Sequence, residues 1–102
     1  MQPLVVRGYL NIRFRTRKLQ KQYEKYREAE KDYGREVARN YTQRNDIIKH
    51  THDLKELQAL PGLRCHPLKG NRQGQWAINL TGYYRLIFTL HGKNLNIVQI
   101  EK

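Results

Sequence analysis

The sequence predicts an α+β fold: an N-terminal strand, a two-helix hairpin, then a three- to four-stranded antiparallel sheet packed on the helices. Three observations carry this. The apolar residues recur at helical spacing between Thr16 and Leu60 and at spacing two from Trp76 onward, and turn residues divide the chain into short pieces only after Gly62. Helices followed by a meander of strands bury their apolar faces against one another in two layers. With 102 residues we expect one domain over 1–102, since domains most often run to roughly 100–150 residues.

The elements follow in order. Leu4, Val5 and Val6, then Tyr9, Leu10, Ile12 and Phe14, make β-rich stretches around Gly8, with Asn11 and Arg13 alternating near the end. We read one opening strand, bent at Gly8. From Thr16, a suitable N-cap, the period changes: Leu19, Tyr23 and Tyr26 fall on one stripe, leaving Lys18, Lys21, Lys25 and Arg27 for solvent. Tyr33, Val37, Tyr41 and Ile48 form a second stripe, and Gly34 predicts a break between two helices. Asp53 can cap a further turn bearing Leu54, Leu57 and Leu60, which Pro61-Gly62 ends.

Beyond Gly62 the segments Leu63 to Leu68 and Gln75 to Thr81, joined by Gly70-Asn71-Arg72-Gln73-Gly74, read as a hairpin. Trp76, Ile78 and Leu80 alternate with Gln75, Ala77 and Asn79. Past Gly82, Tyr84, Leu86, Phe88 and Leu90 alternate with Tyr83, Arg85, Ile87 and Thr89. His91-Gly92-Lys93-Asn94 then turns the chain into a last strand from Leu95 to Ile100.

Lys and Arg number 20 against 9 Asp and Glu, a formal charge of +11, which favours a polyanionic partner or an acidic protein. Eight basic residues face the single acid Glu24 between Arg7 and Arg27, and no carboxylate side chain occurs from Leu57 to Ile100. A merely solvated surface is the alternative reading of such runs. The single cysteine, Cys65, excludes an intrachain disulfide and reads as a small core residue, so a reducing compartment and a cytoplasmic location are expected. No apolar run approaches the roughly 20 residues that span a membrane, and the start is too short in apolar residues for a signal peptide.

If the apolar face of the meander covers the helices, alternation leaves Arg64 and His66, Arg85, and near the connecting turn Lys69 and Arg72 on the opposite face. None has an acidic neighbour in sequence. Arg grips phosphate oxygens in bidentate fashion and Lys adds a point charge, so such a face suits a phosphodiester backbone. Metal-independent cleavage of RNA needs a base for the 2′-hydroxyl proton, an acid for the leaving oxygen and cations for the charge on phosphorus. His66, Lys69, Arg72 and Arg85 can share these roles, while a structural role for a lone strand histidine and an ordinary surface role for Arg85 stay open. Tyr83 has the parity of Arg85 and is a candidate for base stacking, whereas Trp76 and Tyr84 are expected in the core. His50-Thr51-His52-Asp53 lacks the ligands of a metal site, and Gly70 to Gly74 lacks the Lys-Ser/Thr ending of a phosphate loop. There is no Gly-x-Ser-x-Gly for acyl transfer, and neither a cofactor nor a metal is expected.

The run Leu63-Arg64-Cys65-His66-Pro67-Leu68-Lys69-Gly70-Asn71-Arg72-Gln73-Gly74-Gln75-Trp76, followed by Tyr84 and Arg85, resembles the central block of HigB-type toxins of the RelE/ParE-like class. The resemblance extends over about Phe14 to Lys102 and is close from Leu63 to Phe88. It implies a RelE-like fold and a toxin of a type II toxin–antitoxin pair that cleaves mRNA on the ribosome. A cognate antitoxin, of the HigA-like helix-turn-helix kind, would neutralise it, and operator DNA would be met only through that antitoxin. The resemblance gives His66 as catalytic, Lys69 and Arg85 as the residues holding the scissile phosphate, and Arg72 as the motif arginine. The family's closing acidic-Tyr-His tail is not matched, since the sequence ends Ile100-Glu101-Lys102; His66 would then carry more of the proton transfer. Two other classes remain open: a ParE-like toxin that inhibits gyrase by binding, and a catalytically silent module that binds RNA or antitoxin.

Overall fold

The structure is a computed structural model and describes residues 8–102. Three helices and a short fourth lie against one face of a five-stranded sheet. The helical part comprises α1 (Arg17–Glu24), α2 (Tyr26–Tyr33), α3 (Arg35–Lys49) and α4 (Leu54–Ala59). The strands are β1 (Asn11–Phe14), β2 (His66–Pro67), β3 (Gln75–Asn79), β4 (Arg85–His91) and β5 (Asn94–Glu101), in the spatial order β1-β5-β4-β3-β2. β2 to β5 pair antiparallel, as the meander predicts, while β1 adds a fifth strand parallel to β5, with Asn11 opposite Asn94 and Phe14 opposite Ile97. A parallel neighbour cannot be read from alternation, because it depends on where the chain returns. The expected start of the opening strand at Leu4 to Val6 lies outside the described residues.

Both caps form. Thr16 Oγ1 accepts from the Leu19 amide at 3.2 Å, and Asp53 Oδ1 accepts from the Glu56 amide at 2.9 Å. Gly34 divides α2 from α3 as expected, with φ +89° and ψ 170°, a region essentially restricted to glycine. The hairpin nevertheless consists of three helices, because Lys25 is extended and separates α1 from α2. The reason is rotational. An unbroken helix carrying Leu19, Tyr23 and Tyr26 inward would next bring Glu30 to the core; the break turns Ala29 inward instead, fully buried, and leaves Glu30 to pair with Arg35. Tyr26 is left exposed.

The core lies between helices and sheet. Leu19, Val37, Tyr41, Ile48 and Leu57 meet Ile78, Leu80, Leu86, Phe88, Leu95 and Ile97, with Trp76 and Tyr84 packed at its edge. Cys65 is buried too, and burial pushes its thiol up to about 11. The Tyr41 hydroxyl donates to the Leu19 carbonyl at 2.8 Å, joining α3 to α1 inside the core. Asn40 and Arg44 on α3 donate to the carbonyls of Leu80 and Asn79, at 2.7 and 3.1 Å, and so tie the long helix to the end of β3. The expected strand from Leu63 to Leu68 contracts to His66–Pro67. Bonds from Asn79 N to Leu63 O and from Leu68 N to Gln75 O bracket it, each 2.8 Å, but Arg64 has φ +51° and Pro67 has no amide to donate.

Candidate RNA-binding and cleavage face

Register decides which side chains share the face away from the helices. His66 pairs with Ala77, Ala77 with Ile87, and Ile87 with Gln99, so these four form one row across β2, β3, β4 and β5. The next row is Asn79, Arg85 and Glu101. From a strand spacing of about 4.8 Å and a rise of about 3.4 Å per residue, the His66 and Arg85 backbones lie roughly 12 Å apart on that face. Alternation thus places both where the sequence reading put them.

His66 is exposed, and its Nδ1 donates to the Arg64 carbonyl oxygen at 2.6 Å. A carbonyl only accepts, so this bond puts the proton of the neutral ring on Nδ1 and leaves the Nε2 lone pair available. Arg64 sits in a left-handed turn, which aims its carbonyl back at the ring two residues later. An open depression of about 560 Å³ lies beside it, lined by Arg64, Cys65, His66 and Asn79.

Arg72 and Arg85 are not free cations. The carboxylate of Glu101 bridges them: its Oε2 accepts from Arg72 Nη1 at 2.8 Å, from Arg85 Nε at 2.7 Å and from Arg85 Nη2, while Gln99 donates to Oε1 at 2.7 Å. Arg72 reaches there from a single 3-10 turn, Gly70–Arg72, and its Nε donates to the side-chain Oε1 of Gln75 at 3.0 Å. Gln75 is opposite Thr89 and Glu101 opposite Arg85, so the Arg72 guanidinium bridges the face above Ile87. Ala77 and Ile87 are fully buried although they do not belong to the core between sheet and helices. The bridge from Arg72 to Glu101, sheltered on that apolar floor, pulls the Glu101 carboxyl down to about 2. The Arg72 hydrogen bond is the largest cause; burial opposes it, and the Arg85 hydrogen bond and the charges of both arginines add to the lowering.

Tyr83 is 79% exposed, in a turn fixed by the Thr81 hydroxyl, which accepts from the amides of Tyr83 and Tyr84 at 3.1 Å. Arg64 is exposed and lines the depression beside His66, and Lys69 is exposed where the chain enters the 3-10 turn. The structure therefore brings His66 and Arg64 together at the β2 margin and Arg72 with Arg85 in the bridged layer, while Lys69 and Tyr83 lie in the turns that follow β2 and precede β4. Glu101, Gln99 and Gln75 were missed. Alternation from the core residues Leu95 and Ile97 would turn Gln99 and Glu101 inward; the register shift at Val98, between the Phe88–Ile97 and Ile87–Gln99 pairs, turns them to this face, so parity alone gave no signal for them. Among the described residues no group of three or more His, Cys, Asp or Glu gathers as for a metal ion, and no helix is long and apolar enough to cross a membrane.

A sheet with helices packed on one face is also the fold of several solved toxins. A toxin from Agrobacterium tumefaciens described as YoeB/ParE is 19% identical with TM-score 0.56, over 90% of this chain and 96% of that one. The YoeB–YefM complex from Staphylococcus aureus gives 17%, TM-score 0.61, and 93% and 98% coverage. The DinJ–YafQ toxin–antitoxin complex from E. coli gives 18%, TM-score 0.58, and 95% and 93% coverage. These likenesses show the fold. The family model of the HigB-like toxin, a RelE-like toxin of type II toxin–antitoxin systems, matches residues 12–101, and the chain belongs to that family. Comparison with curated proteins gives no significant match.

Proposed function

We propose that this toxin is a ribosome-dependent endoribonuclease that cleaves mRNA and is neutralised by a cognate antitoxin. The observation that carries the reading is the bond from His66 Nδ1 to the Arg64 carbonyl, which leaves Nε2 as a base on the same face as Arg85. His66 Nε2 takes the 2′-hydroxyl proton, and the 2′-oxygen attacks phosphorus to form a 2′,3′-cyclic phosphate. The 5′-oxygen leaves and takes a proton from the imidazolium or from water. Lys69 and Arg85 meet the negative charge that peaks on the phosphoryl oxygens, Arg64 and Arg72 hold flanking phosphates, and Tyr83 stacks on a base.

An antitoxin partner is supported by the family and by the antitoxin complexes formed by the S. aureus and E. coli structures of the same fold. An excess of eleven positive charges makes capture by an acidic helical surface favourable. The test is expression without antitoxin, with mRNA integrity and gyrase activity followed together. Growth arrest with cut messages supports the reading. Arrest with intact messages and failing gyrase overturns it in favour of a ParE-like activity, and growth without arrest overturns toxicity itself.

A further inference from the structure

The Glu101 carboxylate sits where a substrate phosphate has its best partners. Its Oε2 receives three N–H donors from two guanidinium groups, and its Oε1 receives an amide from Gln99. One guanidinium fork, a single N–H from a second guanidinium and an amide converging on one carboxylate suit the charge and the acceptor oxygens of a phosphodiester equally well. Arg72 and Arg85 remain 30% and 36% exposed at their side chains, so an incoming anion can reach them, while the carboxylate they surround is 17% exposed. The cluster is built rather than accidental: Gln75 holds Arg72 and Gln99 holds Glu101, above the buried Ala77 and Ile87. No other carboxylate side chain exists between Leu57 and Lys102, and that one acid is set against Arg72 and Arg85.

We propose that Glu101 is an internal phosphate mimic that occupies the Arg72–Arg85 cradle in the free protein and is displaced by an RNA phosphate. The inference rests on reading this face as the substrate site and adds its regulation. A carboxylate on the same chain competes with substrate at fixed, high effective concentration. The free toxin therefore holds RNA weakly, and a substrate must bring further contacts, at His66, Lys69 and Tyr83, to open the cradle. Such a latch favours an RNA presented at several points at once over a loose single strand.

The experiment compares the full chain with Glu101→Gln, using a single-stranded 2′-O-methyl oligonucleotide, which binds without being cut, and inorganic phosphate as competitor. Glu101→Gln is expected to bind the oligonucleotide three- to tenfold more tightly, and phosphate to compete at correspondingly lower concentration. Equal or weaker binding by a folded variant overturns the proposal and makes Glu101 a positioning partner of the arginines. If the variant fails to fold, the wild-type protein decides: saturating oligonucleotide should move the Glu101 carboxyl carbon resonance toward that of an unpaired carboxylate, and an unmoved resonance overturns the latch. If Glu101→Gln gains phosphate binding but neither protein binds the oligonucleotide, the cradle is an anion site that RNA does not open, which overturns the proposal and leaves the ribonuclease reading to the test of message cleavage. If neither protein binds either probe, the proposal falls likewise.

Discussion

His66 Nδ1 and the carbonyl oxygen of Arg64 lie 2.6 Å apart, and this one bond sets which nitrogen of the ring can act as a base. His66→Gln removes that base while keeping a polar side chain of similar length. Cleavage on programmed ribosomes is expected to fall by about 10²–10⁴-fold with ribosome binding within about twofold of wild type. Wild-type cleavage by a folded variant makes the histidine structural. Equal loss of binding and cleavage makes it a contact residue.

Arg85→Ala and Lys69→Ala act on charge instead. Each is expected to lower the single-turnover cleavage rate by about 10²–10³-fold, as for loss of one donor to a developing oxyanion, with a smaller loss of binding. Arg85→Ala also strands Glu101 on the arginine that remains, so only Lys69→Ala should keep the wild-type melting temperature. A cleavage rate unchanged in either variant removes that residue from the chemistry.

Glu101 links the face to acid stability. Its carboxyl is held at about 2, below the ordinary value of 4.5, so the folded state binds its proton less readily than the unfolded chain. Its contribution is fully present above the unfolded value and is lost as pH falls from about 5 toward 2; after allowance for solvent screening it is on the order of 2 kcal/mol. The stability difference between wild type and Glu101→Gln, from denaturant titrations at pH 7, 5 and 3, should shrink across that window. A difference constant with pH would remove the ion pair from the account of stability.

Gly34→Ala tests the hinge between α2 and α3. A Cβ there would meet nothing within 4 Å, so any cost is conformational and not steric crowding by neighbours. At φ +89° and ψ 170° we expect a loss of about 1–3 kcal/mol in equilibrium unfolding. No change in the unfolding midpoint would mean that the segment relaxes without strain.

Antitoxin association should slow as salt rises, because the Debye length falls from about 10 Å at 0.1 M to about 3 Å at 1 M. A rate indifferent to ionic strength would leave the pairing intact and discard electrostatic steering.

Thr16, Asp53 and Gly34 were legible because capping and left-handed backbone have strong local residue preferences. The faces of β2, β3 and β4 were legible because a strand buried on one side must alternate, which puts His66 and Arg85 on the same face. Lys25 was not, since nothing local to lysine ends a helix; the break answers the need to keep Glu30 out of the core. Nor was the bridge from Arg72 to Glu101, whose partners are brought together only by the 3-10 turn and the β4–β5 register. Reading charge along the chain made this face wholly cationic. In space two of its arginines, Arg72 and Arg85, are already paired with Glu101.

The parallel pairing of β1 with β5 has a consequence for how the molecule comes into being. Arg15 Nε reaches the Val98 carbonyl at 2.9 Å across 83 positions of chain, so closing this side of the sheet is the most non-local event in the fold. Such pairing has a large loop-closure entropy and forms late. During synthesis β1 emerges early and waits for β5, the strand that also carries Gln99 and Glu101. The helical layer and the β3–β4 hairpin can assemble before then, but the cradle cannot. A newly made toxin thus acquires its latch and the last edge of its sheet in the same step, which leaves an interval during translation when Arg72 and Arg85 are made and Glu101 is not.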